Sequence, residues 1–357
     1  MSDLMESMYS KIQKESRRSI LRHVKGIKSP HPKDIETGQT PSEVIYKENK
    51  LRLLHYTPVR DKLLPVPLLL IPPLINKYYI LDLLPGNSFV EYMVHHGVDV
   101  YLVDWGIPGD EDRYLDLDFY IDHYMPDVVH QVLDFSGAKE FSLLGYCIGG
   151  TLVLMYAALH KEFMKNLITI AAPVDFTHGG LFTIWTDSKY FDVDKIVDAY
   201  GNIPALFIKG AFNMLSPTSE ISKYVEVYTN VTKWSREYAE YFLAFDKWVN
   251  DPIPFPGGVA KRIVKECYQE NKLIKGEMII GGRRVDLKEI TCPLLNIAAE
   301  RDNIVPIEST RVLTEIVSSK DKTLMVIPSG HVSLVAGSRA REGLWPKLGH
   351  WLRVRSK

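Results

Sequence analysis

The sequence predicts an α/β fold, a mostly parallel sheet with helices on both faces and an inserted cap. Three observations carry this. Short, continuous apolar runs alternate with helical segments, the pattern of strands buried on both faces. One run closes in Gly145-Tyr146-Cys147-Ile148-Gly149-Gly150, a turn that opens directly into a helix. Across residues 177–284 the alternation stops, aromatic side chains crowd in, and the strand rhythm then returns.

Leu4, Met8, Ile12, Ile20 and Val24 recur at multiples of four with Lys and Arg on the other faces, which reads as a basic amphipathic helix. It either docks on a partner or hydrophobic particle or packs on its own domain. A linker with Pro30, Pro32, Gly38 and Pro41 follows, so residues 1–42 form a leading segment. Val44-Ile45-Tyr46 and residues 51–56 read as a hairpin. Strands are then expected at 68–71, 99–105, 140–147 and 167–172, with helices near 87–96, 119–135 and 151–160. The prolines at 65, 67, 72 and 73 exclude a membrane-spanning helix from the apolar run that contains the first of these strands.

After residue 172 come Phe176, Phe182, Trp185, Tyr190, Phe191, Tyr200, Trp234, Tyr238, Tyr241, Phe242, Phe245, Trp248 and Phe255. This stretch reads as a cap: either a lid that excludes water and binds an apolar substrate, or a helical extension that stabilises the core. Strand patterns return at 285–288, 292–299 and 322–327, and a closing helix is expected at 344–354. The core would thus comprise residues 43–176 and 285–357, and the cap 177–284.

Of 357 residues, 46% are hydrophobic and 24% charged, and the formal net charge is −1. That balance gives no reason to expect nucleic acid or an anionic membrane as a partner. The N-terminus lacks an apolar stretch of signal-peptide length and the three cysteines have no pairing pattern, so a reducing, cytoplasmic location is expected.

Gly145 and Gly149 let strand and helix pass closely and push the Cys147 side chain out on a strained residue at the carboxyl edge of the sheet, where ligands of such folds bind. The helix N-terminus beside it favours a thiolate and can hold an oxyanion. Free cysteine is more often an inert buried thiol. That reading suits Cys267 and Cys292, and neither belongs to a metal or disulfide framework. A nucleophilic cysteine needs a base and a group to orient it. Asp302 follows the strand at 292–299 and His331 follows the strand at 322–327, which gives the chain order of the α/β-hydrolase fold. The oxyanion hole would come from the backbone N–H groups of Ile148 and of Ile75, in the loop after the strand at 68–71. His178-Gly179-Gly180 resembles an oxyanion motif of lipases but follows the nucleophile, so it receives no catalytic role. No nucleotide-binding glycine motif is present, and no cofactor or metal is expected.

The run from Pro72 to Leu83, Val103-Asp104-Trp105-Gly106 with Asp112-Arg113, the Gly-x-Cys-x-Gly-Gly box, Asp302 and Gly330-His331 together resemble polyhydroxyalkanoate synthases. The resemblance runs from Thr40 onward and includes Gly201-Asn202-Ile203-Pro204 and residues 248–252. Dienelactone hydrolases carry a similar cysteine box on shorter chains without such a cap. The resemblance implies the short synthases of class III or IV, whose catalytic subunit works with a second, non-catalytic one. It also implies a homodimer or hetero-oligomer, association with polyester granules, and polymerisation of (R)-3-hydroxyacyl-coenzyme A with release of coenzyme A. One departure is visible: where the family usually shows two aspartates before tyrosine, here Asp118 is followed by Phe119 and Tyr120, and a local packing change is expected.

On this reading Cys147 takes the acyl group, His331 takes the thiol proton, and Asp302 either orients His331 or helps activate the attacking 3-hydroxyl. A cysteine hydrolase, of dienelactone-hydrolase or thioesterase type, would use the same residues but admit water. A non-catalytic particle-coat protein would rely on the N-terminal helix and have no use for the three together.

Overall fold

The computed structural model describes residues 35–217, 219–230 and 233–356, together with 11, 14–16, 18 and 19. The apolar positions expected to define the N-terminal helix lie outside the described residues.

Eight strands form one sheet: β1 (Ser42–Glu48), β2 (Leu51–Tyr56), β3 (Leu68–Ile71), β4 (Val100–Asp104), β5 (Phe141–Tyr146), β6 (Met164–Ile170), β7 (Leu294–Ala299) and β8 (Lys322–Ile327). Their order is β1-β2-β4-β3-β5-β6-β7-β8. The β1–β2 hairpin turns at Asn49, which has a φ of 50°. β2 also runs antiparallel to β4, and every other pairing is parallel.

Helices α1 (Phe89–His95), α2 (Met125–Ser136) and α3 (Ile148–Leu159) form the crossovers. The Ser88 hydroxyl accepts the Glu91 N–H at 2.9 Å to start α1, and Gly137, in the left-handed region, ends α2. Between β6 and β7 lie α4 (Leu181–Trp185), α5 (Val193–Tyr200), α6 (Ala205–Leu215), α7 (Ser219–Asn230), α8 (Arg236–Val249) and α9 (Gly257–Arg262, continued by Ile263–Gln269). Helix α10 (Trp345–Arg355) closes the chain.

The period of two along each strand sorts the core into two layers. Leu68, Leu70, Leu102, Leu144 and Ile168 pack under α1 and α10, while Leu69, Ile71, Val103, Leu143 and Leu167 pack under α2 and α3. Full burial of each such side chain contributes roughly 1.5–3 kcal/mol. Between β6 and β7, Asn296 accepts from the hydroxyls of Thr169 and Thr310 and donates to the Thr310 carbonyl, all within 2.8–3.1 Å. This buried network fixes the strands that carry the site.

The cap is unevenly attached. Helix α8 buries Ala239, Leu243, Ala244 and Trp248. The Trp248 Nε1–H donates to the Lys77 carbonyl at 2.9 Å, and the Tyr79 hydroxyl donates to Asp251 at 2.9 Å. Helix α6 has no buried residue and leaves Leu206 73% and Met214 56% exposed.

Two local expectations change, and two small hairpins are added. Residues 285–288 do not form a strand: Asp286 accepts the Lys288 N–H at 3.0 Å and starts a short helical turn over Leu287–Glu289. The strand after the elbow lies earlier than 167–172, because Ala171 turns to a φ of 47°. Two small hairpins, Asp82–Leu84 with Asn87–Ser88 and Ile279–Ile280 with Arg283–Arg284, carry too few residues to show a period. At the family departure, Phe119 packs on His123 and Tyr124 with ring centroids 4.6 and 4.7 Å away, and Asp118 pairs with Arg262.

Candidate active site

Cys147 sits between β5 and α3 at φ 56° and ψ −128°. Its N–H donates to the Ile170 carbonyl at 2.9 Å and its carbonyl accepts the Gly150 N–H at 2.8 Å, so both neighbouring elements hold the strained residue. A methyl group on Gly145 would lie 2.6 Å from the Gly149 carbonyl, and one on Gly149 would lie 2.7 Å from the Pro72 carbonyl. Only glycine permits either approach.

Asp302 and His331 stand at the carboxyl ends of β7 and β8. Asp302 Oδ1 accepts the Ile304 and Val305 N–H groups at 2.9 and 2.8 Å, while Oδ2 lies 2.7 Å from His331 Nδ1. The Asp302 side chain is fully buried and His331 is nearly so. Burial disfavours the imidazolium, but the Asp302 carboxylate and the Cys147 sulfur outweigh it and raise the His331 pKa to about 10. Nδ1 is engaged by Asp302, which leaves Nε2 for the sulfur. The Tyr146 ring lies 5.3 Å from the imidazole, centroid to centroid.

Ile148 is the first residue of α3, so its N–H has no partner within the helix. Ile75 lies in the loop after β3, which the Trp105 Nε1–H anchors by donating to the Pro72 carbonyl at 3.0 Å. Ile75 and Ile148 line one cavity with Cys147. His178 lines neither of the cavities that reach the cysteine.

Two chambers meet at Cys147. One, of about 440 Å³, contains His331, Asn76, Lys209, Lys223, Ser216 and Asn303 and is the more polar. The other, of about 600 Å³, is walled by apolar and aromatic residues and contains Ile75 and Ile148. Ile208 and Phe212 of α6 border both, as does Ile304. The sequence reading anticipated an aromatic lid but not this division. Ile208 and Phe212 are four residues apart and so share a face of α6, but that spacing alone carries no signal that the face divides two chambers.

Elsewhere, Glu48, His123 and Asp127 place possible ligand atoms within 4.8 Å of one another. His123 Nε2 lies 2.7 Å from Glu48, and none of the three borders the two chambers. The hydrogen bond between His123 and Glu48 accounts for the group.

A glycine-framed elbow with an acid and a base on the ends of the last two strands defines a protein of the α/β-hydrolase fold. The family model described as "alpha/beta hydrolase fold" matches residues 67–337. Solved structures agree on the fold: an alpha/beta hydrolase fold protein from Nakamurella multipartita has a TM-score of 0.51 at 13% identity, covering 87% of this chain and 99% of that one. A monoacylglycerol lipase from Paleococcus ferrophilus has a TM-score of 0.50 at 16% identity, covering 86% of this chain and 100% of the other.

The model for the N-terminus of poly-beta-hydroxybutyrate polymerase (PhaC) matches residues 28–93. The poly(3-hydroxyalkanoate) polymerase subunit PhaC of Allochromatium vinosum is 37% identical over 90% of each chain, and that of Synechocystis sp. is 36% identical over 90% of this chain and 86% of its own. The Haloferax mediterranei subunit is 39% identical over 91% of this chain, which spans 66% of that protein's length. The chain belongs to the poly(3-hydroxyalkanoate) polymerase family, as a PhaC-type catalytic subunit, and is an enzyme of the acyltransferase class.

Proposed function

We propose that the protein polymerises (R)-3-hydroxyacyl-coenzyme A through acyl thioesters on Cys147, with His331 as base and acid and Asp302 as its orienting partner. The observation that carries the reading is the meeting of two unlike chambers at Cys147, with His331 on one side and Ile75 and Ile148 on the other.

In the first step His331 Nε2 already holds the proton taken from the thiol, in keeping with its raised pKa, and Sγ attacks the thioester carbonyl. The Ile148 and Ile75 N–H groups hold the oxyanion, and the coenzyme A sulfur leaves with the proton from His331. In the second step the 3-hydroxyl of the next unit gives its proton to His331 and attacks the acyl-cysteine, and Cys147 leaves with that proton. Exchange of one thioester for another is nearly thermoneutral, so the acyl-enzyme is no trap. Both the leaving thiol and the incoming hydroxyl must approach His331, which assigns them to the polar chamber. The acyl chain then extends into the apolar chamber beside the oxyanion donors, where water competes poorly. The engagement of both Asp302 oxygens, Oδ1 by two N–H groups and Oδ2 by His331, and the full burial of the side chain support an orienting role over activation of the substrate hydroxyl.

The working assembly on this reading is cytoplasmic, attached to a polyester granule, and contains a second, non-catalytic subunit in a homodimeric or hetero-oligomeric complex. The test is coenzyme A release and polymer formation from 3-hydroxybutyryl-coenzyme A, with and without a candidate second subunit. Release of free hydroxy acid without polymer would instead support a cysteine hydrolase on the same triad.

A further inference from the structure

The wall of the apolar chamber contains few polar side-chain atoms. The Thr186 hydroxyl is already used, donating to the Phe182 carbonyl at 2.7 Å. Two donors have no hydrogen-bond partner among the described residues, Trp185 Nε1 and the Tyr268 hydroxyl. Tyr268 lies on the continuation of α9, its ring fixed edge-on against Phe176 at 4.8 Å and facing Phe182 at 6.4 Å. Burial raises its pKa first and the nearby Cys147 sulfur raises it further, so the phenol keeps its proton and remains a donor.

The Tyr268 hydroxyl is thus a donor with no acceptor among the described residues, open to the chamber and available to a ligand that displaces water from it. A polyester matches that description: its chain is apolar, each unit carries an ester carbonyl that can only accept, and no unit within the chain offers a donor.

We propose that the apolar chamber is the binding site for the last ester-linked units of the growing chain, and that the Tyr268 Oη–H donates to one of their carbonyl oxygens. The inference rests on the polymerase reading above. The contact keeps the chain in register while Cys147 is free, between attack by the incoming hydroxyl and the next acylation, so it governs how many units are added before release.

Tyr268→Phe removes the hydroxyl and keeps the ring contacts. From 3-hydroxybutyryl-coenzyme A, single-turnover acylation of Cys147 should stay within about twofold of wild type, while mean polymer length should fall about three- to tenfold, the effect of one hydrogen bond lost from the chain complex. Tyr268→Leu, which also removes the ring, should additionally slow acylation. Wild-type polymer length in Tyr268→Phe overturns the proposal, as does an equal loss of acylation and length in both variants, since that pattern marks a packing role. If the wild-type enzyme yields only free acid, the polymerase reading itself fails and the chain site with it.

Discussion

Trp105 Nε1 donates to the Pro72 carbonyl at 3.0 Å, and this bond holds the loop that carries Ile75 against the glycine face of the elbow. The loop proposed to supply one oxyanion donor therefore depends on a residue just past β4 that takes no part in the proposed reaction.

Trp105→Phe should keep the ring's packing beside Tyr120 and lose the donor. Loop displacement should lower coenzyme A release about 10- to 100-fold with the far-ultraviolet circular dichroism unchanged. Activity within a factor of two of wild type would show that the loop holds its place without the bond.

Cys147→Ala should abolish coenzyme A release and leave the fold intact, because a small side chain is lost from a site whose backbone is fixed by its neighbours. Cys147→Ser should also be severely impaired: a hydroxyl is harder to deprotonate and its oxygen ester is the poorer acyl donor. Mass spectrometry of the quenched enzyme should find an acyl adduct on the peptide containing residue 147 in wild type and none in the alanine variant.

Asp302→Asn should slow acylation and elongation by similar factors, about 10²- to 10⁴-fold, because both steps use the same oriented imidazole. Single-turnover labelling separates the steps, and a variant that acylates well but fails to elongate would return the carboxylate to a role at the substrate hydroxyl. His331→Gln should suppress acylation itself.

His331 also predicts a pH dependence of stability. Its pKa rises on folding from 6.5 to about 10, so the protonated ring stabilises the folded state fully below pH 6.5, and this contribution disappears as pH climbs toward 10. Wild type should lose melting temperature across that window, and Asp302→Asn, without the carboxylate that holds the proton, should lose less. Parallel curves for the two proteins would show that Asp302 does not set the titration.

Amide exchange should divide the cap. Helix α8, docked through Trp248 and its buried alanines, should be protected much like β5 and β7, whereas α6, with no buried residue, should exchange faster and respond most to an acyl-coenzyme A substrate. Uniform protection across both helices would remove the opening of α6 from the mechanism.

The sheet and the elbow were legible in the sequence because their signals are local: apolar runs of strand length, and glycines where a methyl group would strike backbone. The order of Cys147, Asp302 and His331 was legible for a related reason, since each follows a strand and the topology brings strand ends together. The bonds of Asp302 to Ile304 and Val305 could not be read, as they depend on how the chain turns back after β7. The partition by Ile208 and Phe212 was hidden as well, because helical spacing marks a face without saying what lies on either side of it. Residues 285–288 misled through apolar alternation too short to outweigh the turn that Asp286 sets.

The conformation of residue 147 is held by backbone: the close approaches at Gly145 and Gly149 and the hydrogen bond of its N–H to the Ile170 carbonyl. The turn is thus indifferent to which atom it presents, and serine occupies it in many proteins of this architecture. Exchange of oxygen for sulfur is a change the scaffold can absorb in one substitution, without rebuilding strand or helix. A hydrolytic and a chain-building protein can therefore share one backbone at this turn, and on the reading proposed above the difference between them would lie in the cap.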